Sequence, residues 1–298
     1  MVTEPMPATI GNTSPPGRSA TGAGTARATI WFFVLAYGFS WAWLIPIAVT
    51  GGTVRGGHGW PTHFPALLGP LLAAVIVTAW TQGRPGLSDL AGRMVRVRVA
   101  WRWWLFALSP LIVLGAVLLI DAVSGLTAPA ARDFAVFSGV PAGWGVLGVA
   151  AAIVLVNGFG EETGWRGYGL TALQSRYGPL RGVSVLAVLW AGWHAPMFFV
   201  VSSFRSFTAP IVVGWFLGLF CGAVVLSWLY QRSGGSILLV AVWHATYNLI
   251  SGTDAATGLL AAVSTTLVIV LATVLIGLEL RSARHGRPTI LGPAVRRR

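Results

Sequence analysis

Residues 157–166 read Asn157-Gly158-Phe159-Gly160-Glu161-Glu162-Thr163-Gly164-Trp165-Arg166, two adjacent carboxylates and an arginine closing an otherwise uncharged apolar run. The whole chain of 298 residues holds only eight acidic residues. A carboxylate at membrane depth costs about 2.5–3.5 kcal/mol on insertion scales, so chains keep one there chiefly for chemistry, ion passage or pairing inside a bundle. Whether this run lies in a membrane therefore decides how the stretch is read.

Composition answers that question. Apolar residues make up 55% of the chain and charged residues 9%, and the mean hydropathy is +0.74. Several apolar runs reach the ~20 residues that span a bilayer, which a soluble core does not require. The fold class that follows is an all-α, polytopic membrane protein. The single cysteine, Cys221, excludes an intrachain disulfide and a thiolate cluster. The net charge of +12 comes entirely from arginines set between the apolar runs, which argues for membrane topology and against nucleic acid as a partner.

Outward from the acidic stretch, apolar segments lie at about 28–49, 64–80, 103–123, 146–166, 182–201, 210–230, 236–251 and 258–278, which predicts a bundle of about eight transmembrane helices. The second and seventh are short for full spans. Residues 1–27, rich in Pro, Gly, Ser and Thr, are read as a disordered cytoplasmic tail. Residues 28–280 are read as the helical domain, with its chemistry concentrated at 145–250, and residues 281–298 as a basic cytoplasmic tail whose Arg296 to Arg298 reach acidic lipid head groups. Asn12-Thr13-Ser14 matches a glycosylation acceptor by chance alone.

With the N-terminus inside, seventeen arginines fall in cytoplasmic segments and three (Arg55, Arg132, Arg205) in external loops. The asymmetry supports both the helix count and cytoplasmic termini; the expected location is a bacterial plasma membrane. Residues 87–99, after Pro85-Gly86, read as an amphipathic segment on the inner leaflet, and 170–180 as a short interfacial helix ending at Gly178-Pro179. Gly214, Gly218 and Gly222 offer one smooth face for helix packing inside the bundle.

His58 and His63 lie in the first external loop and His285 in the tail, which leaves His194 and His244 inside spans. His244 and Asn248 are four residues apart and share one helical face; Trp190 and His194 have the same spacing, so the indole can hold the imidazole. Pro196 breaks the backbone bonding of the preceding turn and frees carbonyls near His194. Glu162 and Arg166 are also spaced to form an ion pair, leaving Glu161 to face the histidines. His244 is expected ~12 Å and His194 ~18 Å from the starts of their helices, reachable from a cavity open to the cytosol. One carboxylate, two imidazoles and an amide suit acyl transfer to water: base, proton shuttle and oxyanion donors.

Glu161-Glu162-x-x-x-Arg166, Trp190-x-x-x-His194 and His244-x-x-x-Asn248, each on its own span and in that order, resemble the motifs of the CAAX protease and bacteriocin-processing family of intramembrane glutamic endopeptidases. The resemblance covers roughly residues 145–250. It implies that Glu161 and His194 activate water, that His244 and Asn248 form the oxyanion hole, and that Glu162, Arg166 and Trp190 support them without a cofactor. It implies as substrate a membrane-associated protein or peptide, lipidated in CAAX processing, or a bacteriocin-type peptide. Where this chain has Trp190 the family more often has phenylalanine.

Three other readings compete. Glu161, His194 and His244 are a chemically reasonable zinc ligand set for a membrane metalloprotease, though no H-E-x-x-H helix accompanies them. Glu and His within spans also serve proton-coupled transport, which predicts half-helices or an inverted repeat. The third is a non-catalytic membrane scaffold or immunity protein.

Overall fold

The computed structural model describes residues 22–293. The glycosylation-like triplet, most of the N-terminal tail and Arg296 to Arg298 lie outside them. The described residues form an all-α, multi-pass membrane protein. Six helices are long and apolar enough to cross a bilayer, or seven if one bent pair counts as a single span.

In chain order the apolar helices are α1 (Gly22–Val49), α2 (Phe64–Met94), the bent pair α3 (Trp101–Ala107 and Ser109–Ser124), α4 (Ala142–Tyr177), α5 (Pro179–Trp193), α6 (Ala209–Arg232), the shorter α7 (Ile237–Ser251), which is not among those six or seven, and α8 (Gly258–Arg284). Every apolar segment read from the sequence is helical. The 56° bend in α3 falls just before Pro110, which cannot donate to the preceding turn.

Two lengths differ from expectation. The second segment is not short: α2 runs through a kink at Gly83, whose φ of +62° only glycine adopts readily, and ends at Met94. The presumed interfacial helix is not a separate element either. Helix continues unbroken from the acidic stretch to Tyr177, because no proline intervenes before Pro179. Glu161 therefore sits near the middle of a 36-residue run rather than at its end.

α4 is the central helix because its glycines let neighbouring backbones approach. A side chain on Gly158 would come within 2.8 Å of the Ala241 carbonyl on α7, and one on Gly160 within 2.7 Å of the Leu67 carbonyl in α2. Two residues apart, these glycines face opposite ways, so α4 is clasped between α2 and α7. Gly164 repeats the close approach against Pro70. By contrast, the glycine stripe expected to pack inside the bundle is open: a side chain at Gly214, Gly218 or Gly222 would meet nothing within 4 Å.

The helix ends sort into two groups. At one end Arg93 donates to the Gly167 carbonyl and Tyr230, Arg96 to the Gly234 carbonyl, and Arg232 to the Ile290 carbonyl. At the other, loops are stitched by backbone bridges between Val54 and Val201, Gly56 and Ser138, and Phe137 and Thr253. The arginine-rich end is thus one face of the bundle, as the alternation of spans requires. Residues 289–291, read from sequence as part of a tail, fold back there. The buried Glu279 carboxylate accepts from Thr289 Oγ1 and from the Ile290 and Leu291 N–H groups, while Gln174 donates to the Leu291 carbonyl.

Candidate active site

The acidic stretch adopts π-helical turns over Ile153–Glu161 and again over Trp165–Leu170. With i→i+5 bonding a turn holds roughly 4.4 residues, so adjacent side chains diverge by roughly 80° instead of 100°. Both carboxylates are therefore turned into the bundle. Glu161 is 2% exposed, and Glu162 and Arg166 are fully buried.

The expected pair is present: Arg166 Nη1 donates to Glu162 Oε1 at 2.8 Å. That oxygen also receives Nδ1 of His244, at 2.7 Å. The sequence reading assigned Glu162 to Arg166 alone and turned Glu161 towards His244; in the structure Glu162 is the residue bonded to His244. The narrower angle between the two glutamates and the tight α4–α7 contact at Gly158 account for the difference. Fixing Nδ1 on a carboxylate leaves Nε2 of His244 as its free nitrogen.

Glu161 takes a different partner. Its Oε2 accepts the indole N–H of Trp190 at 2.8 Å. The Trp190 ring lies 5.9 Å from the His194 ring and edge-on at 5.7 Å to that of His244. The Arg166 guanidinium carbon sits over its face, 4.4 Å from the centroid, which gives a charge whose Nε and Nη2 are unpartnered among the described residues a favourable surface. One side chain thus touches Glu161, Arg166, His194 and His244.

α5 ends at Trp193, and residues 194–196 form a turn before the short helix Met197–Val200. The break expected at Pro196 is there, and it sets the tautomer of His194. The Trp190 carbonyl lies 2.7 Å from His194 Nδ1. A carbonyl can only accept, so Nδ1 carries the proton and Nε2 presents its lone pair. Trp215 and Phe204 pack on the same imidazole. His194 and Asn248 are half-buried, in contrast to the sealed carboxylates. Towards the arginine-rich end Leu90 and Ile237 pack against Gly167, whose carbonyl accepts from Arg93.

Two residues given no role by sequence also lie in this region. Asn157, one turn before Glu161, is buried with its Oδ1 unpartnered among the described residues; an amide inside an apolar run was the available signal. His63, which the sequence places in the first external loop, is buried at the head of α2. Burial pushes its imidazole down to about 4, so it is neutral at physiological pH.

Among the described residues no three His, Cys, Asp or Glu side chains are grouped to hold a metal ion. Glu161, His194 and His244 do not form the three-ligand set of the metalloprotease reading; each contacts Trp190 instead.

Residues 143–250 match the family of type II CAAX prenyl endopeptidases of the Rce1-like kind. This is the segment that holds Glu161, Trp190, His194, His244 and Asn248. Over these residues the chain resembles the CAAX protease family. It is also 26% identical over 192 residues to CAAX prenyl protease 2 of Methanococcus maripaludis, an alignment covering 62% of this chain and 69% of that protein. The protein is accordingly a CAAX-protease-like intramembrane endopeptidase.

Proposed function

We propose that this peptidase cleaves a membrane-associated, lipid-modified protein or peptide with water activated by Glu161 and His194. The observation that carries the reading is the arrangement around Trp190, which brings a carboxylate and two imidazoles from three helices onto one indole.

Glu161 has Oε2 engaged by Trp190, so Oε1 takes a proton from water while the lone pair on His194 Nε2 accepts that water's other hydrogen. The hydroxide adds to the scissile carbonyl carbon. In the imidazolium form, balanced by Glu162, His244 donates Nε2–H to the oxyanion, joined by the Asn248 amide. Collapse breaks the C–N bond, and the proton held by Glu161 passes to the leaving amine. The carboxylate is restored, and one water has been consumed per peptide bond.

The substrate class rests on the relatives. The matched family is described by prenyl endopeptidase activity and the archaeal relative is named a CAAX prenyl protease. The aromatic cluster beside His194, including Phe204 and Trp215, supports an apolar substituent near the scissile bond. The arginine asymmetry supports cytoplasmic termini.

Purified protein in liposomes, given one C-terminal peptide with and without a prenyl group, tests the reading. Cleavage of the prenylated form by the wild type and not by Glu161→Gln is expected. Equal cleavage by Glu161→Gln overturns the mechanism, and preference for the unmodified peptide overturns the substrate class.

A further inference from the structure

A groove of about 680 Å³ lies at the arginine-rich end of α6 and α8, away from the carboxylates. Trp228, Leu275 and Leu278 form its apolar wall, and Arg232, Arg281 and Arg287 its rim. The folded-back segment closes one side. Arg232 is committed to the carbonyls of Thr289 and Ile290, which holds that segment in place.

The electrostatics are one-sided. Glu279, the carboxylate nearest in sequence, points inward and is engaged by Thr289, Ile290 and Leu291, so it does not line the groove. Arg281 and Arg287 are exposed, and the ion pairs among the described residues involve other arginines. Among the described residues no carboxylate pairs with these two guanidinium groups, which stand where an apolar wall of two membrane-spanning helices ends.

We propose that this groove binds an anionic phospholipid of the surrounding leaflet, an acyl chain lying along Trp228, Leu275 and Leu278 and the phosphate held by Arg281 and Arg287. Guanidinium groups match phosphate oxygens in pairs, and the apolar wall continues along helices that already face lipid. A free phosphate gains nothing from that wall. A zwitterionic head group brings a cation of its own against the rim. The proposal is independent of the catalytic reading.

The test is native mass spectrometry of the full chain released from phosphatidylcholine nanodiscs doped with phosphatidylglycerol. Wild type should retain phosphatidylglycerol in preference to phosphatidylcholine, and the double variant Arg281→Gln, Arg287→Gln should lose that preference by about tenfold. Arg55→Gln, at the other end of the bundle, should behave as wild type, and excess inorganic phosphate should not displace the lipid. Undiminished retention by the double variant, equal retention of the two lipids by the wild type, or displacement by phosphate would each overturn the proposal.

Discussion

Trp190 donates its indole N–H to Glu161 at 2.8 Å, and this contact separates two carboxylates that are neighbours in the chain. Glu161 is tied to α5, whereas Glu162 is tied to Arg166 on its own helix and to His244 on α7. Trp190→Phe keeps the ring under Arg166 and beside both histidines but removes the donor. A hydrogen bond to a charged group contributes about 1.5–3 kcal/mol, so kcat should fall about tenfold or more. KM should stay near wild type, since the ring that fills the space remains. Unchanged kcat would show that the bond does not position the carboxylate.

The two glutamates should separate by stability as well as activity. Glu161→Gln should abolish cleavage and leave melting in detergent near that of wild type. Glu162→Gln strips the anion from a fully buried arginine and from His244, and breaking such a buried pair costs about 3–5 kcal/mol. Its yield and melting temperature should both drop. Matching melting curves for the two variants would refute the assignment of Glu162 as the structural anion.

Glycine substitutions distinguish the packed face from the open one. Gly158→Ala places a methyl group within 2.8 Å of the Ala241 carbonyl, and overpacking of this kind costs about 1–3 kcal/mol. Because Gly158 sets the approach of α7 to Glu162, activity should fall with stability. Gly218→Ala meets open space and should leave both unchanged. Equal effects of the two would contradict the packing described for α4.

His63 makes stability pH-dependent in a definite direction. Its folded value of about 4 lies below the ordinary 6.5, so between these values the unfolded chain binds more protons and stability falls as pH falls. Melting temperature measured from pH 7 to pH 4 should decline less steeply in His63→Phe than in wild type. Parallel slopes would show that burial of this imidazole is not what the acid limb reports.

Much of the candidate site was legible because a membrane leaves few polar residues to choose from. His194, His244 and Asn248 stood out against apolar runs, and the Glu162–Arg166 spacing named its own ion pair. The Trp190 bond to Glu161 was not legible: spacing places Trp190 against His194 but says nothing of where its N–H points. The tail was misread for a similar reason. Residues 289–291 look like loop, and only the inward-facing Glu279, with its three bonds, shows them held.

The sequence by itself determined the solvent, the helical class and the alternation of spans, because hydrocarbon admits only backbones that satisfy their own hydrogen bonds and basic residues mark one side. The order of the three motifs along the chain likewise picked out the candidate reacting groups. The different partners of Glu161 and Glu162 were decided only in three dimensions. Widened π turns rotated the carboxylates together, and Gly158 and Gly160 brought α7 and α2 close on either side. These depend on how backbones approach one another, which residue spacing does not encode.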